Sequence, residues 1–85
     1  MRITYVGPGG SKGPNGGSRY IIRLDQPFPW DSDRDPRAKA KRLRVVKEQD
    51  TSWLLVDVDE AGHLGIECDR NNRVPIKGDK VEWVL

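Results

Sequence analysis

Apolar and polar residues alternate along much of the chain in short period-two runs, separated by clusters of Gly, Pro, Asn and Asp. This pattern predicts short half-buried strands rather than helices. Residues 2–6, Arg-Ile-Thr-Tyr-Val, predict a first strand, and residues 18–25 a second with Tyr20, Ile22 and Leu24 on one face. Between them, residues 7–18 are so rich in Gly and Pro that a long flexible loop is expected. Residues 26–36 hold three prolines with Asp31, Asp33 and Asp35, which suits a surface connection. Asp35-Pro36 is a helix-start signal and allows at most one short helical turn.

Residues 42–48 and 53–59 are apolar-rich runs joined by Gln49-Asp50-Thr51-Ser52, a polar turn of hairpin length. Placing Glu48 opposite Trp53 gathers Leu43, Val45, Leu54, Val56 and Val58 on one face, with Lys47 at its rim. On the other face it sets Arg44 against Asp57, Arg42 against Asp59 and Val46 against Leu55. Opposite charges across a strand pair contribute about 0.2–1 kcal/mol each, and a one-residue slip puts charge into the core face. In this register Trp53 and Leu55 point away from the main core, either covered by Phe28 and Trp30 or exposed as a patch.

After Asp59, Glu60-Ala-Gly-His63 predicts a tight turn returning through Leu64, Ile66 and Cys68 on the core face, with Gly65, Glu67 and Asp69 outward. Residues 69–73 form a further turn, and 77–79 lead into Val81, Trp83 and Leu85. The expected fold is all-β: a small single-domain barrel, OB-like or SH3-like, of about six short strands. Closure of such a barrel hides strand edges. From Ile66 to Trp83, and above all in Gly78-Asp79-Lys80-Val81, the chain resembles the strand lead-in of OB and SH3-like domains in translation and ribosome-associated proteins. That resemblance implies RNA contact by analogy, and fold does not fix function.

Composition narrows the classes. With 85 residues there is room for a single modest core, since a chain this short buries only about 60% of its unfolded surface. Cys68 stands alone, so no intrachain disulfide forms, and a reducing compartment is expected. No secretory leader and no apolar run long enough to span a membrane is legible, which points to the cytoplasm.

A net charge of +2 says little, but its distribution says more. Residues 37–47 hold six cations and no acid, whereas residues 48–69 hold seven acids and no Lys or Arg. The basic segment suits a phosphate backbone, with Trp30, Tyr20 or Trp53 offering stacking surfaces for bases.

Catalytic and metal chemistry find little footing. The Gly-rich run lacks the Lys-Ser or Lys-Thr and the following helix of a P-loop, because Lys12 precedes Gly13 and a strand is expected next. Asp31, Asp33 and Asp35 have the opening spacing of a calcium loop, but Pro36 and Arg42 stand where Gly and Glu are required. His63 and Cys68 are single residues already assigned to a turn and a core face, so neither a nucleophilic dyad nor a zinc site is expected.

The expected function is therefore a non-catalytic binding module without cofactor. It contacts RNA or single-stranded DNA through Arg37, Lys39, Lys41, Arg42 and Arg44, with Arg70, Arg73, Lys77 and Trp30. The alternative is a protein-binding adaptor, or a phage-type inhibitor docking on a host enzyme, through Trp53, Leu55, Asp57, Asp59 and Glu67.

Overall fold

The computed structural model describes residues 1–26, 42–47, 51–59, 61–68 and 73–84. These residues form six strands and no helix: β1 (Ile3–Pro8), β2 (Arg19–Leu24), β3 (Arg42–Val45), β4 (Ser52–Val58), β5 (Leu64–Glu67) and β6 (Val81–Val84). All pair antiparallel in one sheet of order β1-β2-β5-β4-β3-β6. The all-β expectation holds, although the ladder does not close. The edge strands meet at one end only, through the Arg2–Lys80 bridge and the bonds Ile3 N to Asp79 O (3.0 Å) and Val81 N to Met1 O (2.8 Å). The helical turn expected after Asp35, the Asp31–Asp33–Asp35 spacing and the Pro-rich connection from residue 27 onward lie outside the described residues.

One face of the curled sheet buries Ile3, Ile22, Leu24, Leu43, Val45, Trp53, Leu55, Leu64, Ile66 and Val81. Here the structure corrects the hairpin register. Leu43 lies opposite Trp53 and Arg44 opposite Ser52, and Val45 N closes onto Thr51 O at 2.9 Å. Arg44 therefore does not meet Asp57, nor Arg42 Asp59, and Trp53 and Leu55 belong to the core face. The energetics explain the choice. Burying a Trp removes about 150–250 Å² from water, worth roughly 4–6 kcal/mol at 25 cal/mol per Å², whereas two cross-strand charge pairs supply about 0.4–2 kcal/mol. A register shift between Leu55 and Asp57 then returns Val58 to the core side, as a β-bulge does.

A second difference concerns where the segment 7–18 begins and what it touches. Gly7 and Pro8 complete β1, where an edge strand tolerates a residue without an N–H. The remainder folds over Glu67. Gly17 N donates to Glu67 Oε1 at 2.6 Å and Asn15 N to Oε2 at 3.3 Å, while Gly13 and Gly17 bond to each other at 3.0 Å. Glu67 points to the outer face, as alternation requires, yet it is 2% exposed because the loop covers it. A Cβ at Gly13 would sit 2.4 Å from Glu67 Oε2, which is why the loop approaches so closely only with glycine there. Backbone N–H groups of the kind that can cradle an external anion are here turned onto the chain's own carboxylate.

Candidate functional site

The outer face of the sheet carries the charge, and the fold uses its acids internally. Asp57 pairs with Arg19 across Gly65, and Glu82 with Arg44, whose Nε donates to Oε1 at 2.6 Å. Asp79 accepts from Arg73 Nη2 at 3.0 Å and from Ile76 N at 2.9 Å. Asp25 accepts from Arg2 N at 3.0 Å. Asp59 accepts from His63 N at 2.8 Å, and that bond is the main cause holding its carboxyl below the ordinary range. With Glu67 under the loop, every acid among the described residues has a partner. The cations Lys12, Arg23, Arg42, Lys47, Lys77 and Lys80 are exposed and form no ion pair among the described residues.

The residues expected to contact nucleic acid divide accordingly. Arg42 is exposed on the outer face of β3, between Leu54 and Val84. Lys77 is exposed in the turn before β6. Arg44 is engaged by Glu82. Arg73 is structural: its guanidinium lies 5.7 Å from the Trp53 ring centroid and holds Asp79, and its carbonyl accepts from Trp53 Nε1 at 3.0 Å. Arg37, Lys39, Lys41, Arg70 and Trp30 lie outside the described residues.

The alternative protein-binding set does not form a surface. Trp53 is 0% and Leu55 9% exposed, Asp57 is bound by Arg19, and Glu67 is covered. Asp59 is exposed but caps its own turn. Among the stacking candidates, Trp53 is buried and Tyr20 packs against the core, whereas Tyr5, which pattern reading placed in a strand without a role, is 45% exposed. Its ring meets His63 edge-on at 5.7 Å.

Sequence reading missed the place where cations converge. Arg2, Lys47 and Lys80 line a cleft of about 240 Å³ together with Val45, Val46, Gly78 and Asp79. Backbone bonds assemble it: Gly78 N donates to Ile3 O and Val46 N to Lys80 O, both at 2.8 Å. Arg2 Nη1 donates to Gly78 O at 3.1 Å, fixing the guanidinium at the lip. The signal was invisible in a linear scan because the three cations come from the start, middle and end of the chain.

Cys68 and His63 go to different partners. The thiol donates to Arg73 O at 3.2 Å, and His63 Nδ1 lies 3.3 Å from Asp59 Oδ2. Burial pushes the Cys68 thiol up from its ordinary value, with the Glu67 charge adding to the rise and a Tyr20 hydrogen bond opposing it. Because the thiolate is the reactive species, alkylation of folded protein by iodoacetamide at neutral pH is expected to be at least tenfold slower than in urea. Equal rates measured by mass spectrometry would contradict this placement of Cys68.

Comparison with protein-family models, with curated proteins and with solved structures gives no match.

Proposed function

We propose that the chain is a small non-catalytic binding module that contacts RNA or single-stranded DNA through exposed cations that form no ion pair among the described residues. Those in contact are Arg42, Lys77 and the Arg2–Lys47–Lys80 corner. One observation carries the reading: each described acid is engaged within the fold, Asp57, Asp79 and Glu82 by arginines, Asp25 and Glu67 by backbone N–H groups and Asp59 by the His63 N–H, while exposed cations are left over. Such an excess is what a phosphate backbone neutralises, with release of condensed counterions. In sequence, Arg37, Lys39 and Lys41 precede Arg42 without an intervening acid and extend the positive stretch. Tyr5, exposed on the outer face, offers a ring on which a base can stack.

The test is fluorescence anisotropy with a labelled uridine-rich oligonucleotide over roughly 50–200 mM salt. Affinity is expected to fall steeply across that range, and the double variant Arg42→Glu, Lys77→Glu to weaken binding and flatten the slope by about one unit per lost phosphate contact. Absence of oligonucleotide binding, or a double variant indistinguishable from the parent chain, would overturn the reading.

A protein partner is the second reading, and a different feature favours it. Val74 and Ile76 are 45% and 58% exposed on a turn stiffened by Asp79, whose N–H returns to Ile76 O at 3.0 Å. Rigid exposed aliphatics suit a protein contact better than a phosphate backbone. Affinity purification with and without nuclease separates the two readings.

A further inference from the structure

We infer that the cleft between Arg2, Lys47 and Lys80 is a binding site for a single phosphate group, and that the backbone strain at Lys47 is kept for that purpose. The inference rests on the nucleic-acid reading for the source of the phosphate, but not for the chemistry of the cleft.

Lys47 has φ +91°, and among the described residues it alone adopts positive φ without being glycine. At each of the other such positions, Gly10, Gly16, Gly62 and Gly78, the chain places the residue that bears the conformation without cost. A side chain with a Cβ is disfavoured there, and no ion pair repays it, since Lys47 is exposed and makes none among the described residues. A turn that needs only its backbone shape is served better by glycine. What lysine adds, at a position that lines the cleft, is an ammonium group within reach of it. Strain retained at one position points to function when the surrounding structure fixes it, and here Val46 N is anchored on Lys80 O at 2.8 Å, one residue before Lys47.

The rest of the cleft matches an oxyanion. Arg2 and Lys80 sit on facing backbone, joined by the bridge that brings the sheet edges together. The Arg2 guanidinium spends one N–H on Gly78 O and keeps the others for a ligand. Asp79, the one acid among the lining residues, is compensated: both its oxygens are bound, one by Arg73 and one by Ile76 N, and its side chain is 14% exposed. The volume of about 240 Å³ is several times the ~30 Å³ a water takes in the liquid, enough for a phosphate with part of its ester.

The discriminating variant is Lys47→Gly, which removes the strain and the charge together. It is expected to raise the thermal unfolding midpoint, because glycine suits φ +91°. At the same time it should weaken binding of inorganic phosphate, read as amide NMR shifts at Gly78 to Lys80 against a chloride control, by fivefold or more. Lys80→Gln should weaken it similarly without the gain in midpoint. Two ligands separate the sources: inorganic phosphate alone, and an oligonucleotide without terminal phosphate. If phosphate binds and the variants weaken it while no oligonucleotide binds, the cleft stands as a site for free phosphate and the nucleic-acid reading falls. If inorganic phosphate shifts none of these amides, or binds the parent chain and both variants equally, the cleft inference falls, and an oligonucleotide that still binds the parent chain leaves the binding reading standing. A Lys47→Gly chain that unfolds earlier than the parent would also overturn the inference, by showing that lysine serves the fold.

Discussion

Replacing Trp53 with alanine is expected to cost about 3–5 kcal/mol of folding stability, against a total of roughly 5–15 kcal/mol for a domain. A chain of 85 residues stands near the lower end of that range, so a large unfolded fraction should be visible without denaturant. Three contributions go at once: the ring, 0% exposed at the centre of the core; the bond from Nε1 to Arg73 O at 3.0 Å; and the guanidinium stacked over the ring at 5.7 Å. Trp53→Phe keeps most of the apolar area and loses the indole donor, so it should cost less, about 1–3 kcal/mol, chiefly from leaving the Arg73 carbonyl with only the weak Cys68 thiol as donor. Urea unfolding followed by circular dichroism measures both. An alanine variant within about 0.5 kcal/mol of the parent, the ordinary scatter of surface substitutions, would mean that Trp53 is not in the core and that the β3–β4 register is wrong.

That register shows where sequence reasoning succeeds and where it stops. Alternation located the strands well: Ile22 and Leu24 on β2, Leu43 and Val45 on β3, Leu64 and Ile66 on β5 all face the core as their period predicts. The pairing of β3 with β4 failed because two apolar faces were available on β4, Leu54-Val56-Val58 and Trp53-Leu55, and charge complementarity was used to choose between them. Area burial outweighs exposed ion pairs severalfold, so the face with the larger side chains goes inside. The bulge after Leu55 lets Val58 join it, a device that strict alternation cannot express. With the hairpin reset, Asp57 is free for Arg19 and Arg44 for Glu82, both partners distant in sequence.

The candidate surface was legible only in part, for the same reason. A local run of cations can be read directly, and Arg42 and Lys77 are exposed as expected. Whether a cation is available depends on which acid lies beside it in space, and that turned Arg44 and Arg73 into structural residues. Convergence of Arg2, Lys47 and Lys80 follows from the meeting of sheet edges, which no local pattern encodes. Positive φ at Lys47 is likewise silent in the sequence, because Gly and Asn are the residues that announce it.

Removing the Glu67 carboxylate should have the second large effect, and it should act through the glycine-rich loop rather than the core. Glu67→Gln keeps the shape but offers one carbonyl oxygen where two carboxylate oxygens accept from Gly17 N and Asn15 N. One of those donors then faces an NH2 group. A hydrogen bond to a charged acceptor is worth about 1.5–3 kcal/mol, and a buried donor left unmet costs about 1–3 kcal/mol, so a loss of about 2–4 kcal/mol is expected. Gly17→Ala attacks the same contact from the other side, since its Cβ would lie 2.7 Å from Glu67 Oε1 and force the loop off the carboxylate. If both changes break one interaction, their costs must not add. The double variant Gly17→Ala, Glu67→Ala should fall at least 1 kcal/mol short of the sum of Gly17→Ala and Glu67→Ala measured singly, as contacting residues do in mutant cycles. Hydrogen exchange supplies the second readout: the Gly17 amide should lose its protection in each single variant while amides of β3 and β4 keep theirs relative to global unfolding. Additive costs, or a Gly17 amide that exchanges as slowly without the carboxylate as with it, would show that the loop holds its shape without Glu67.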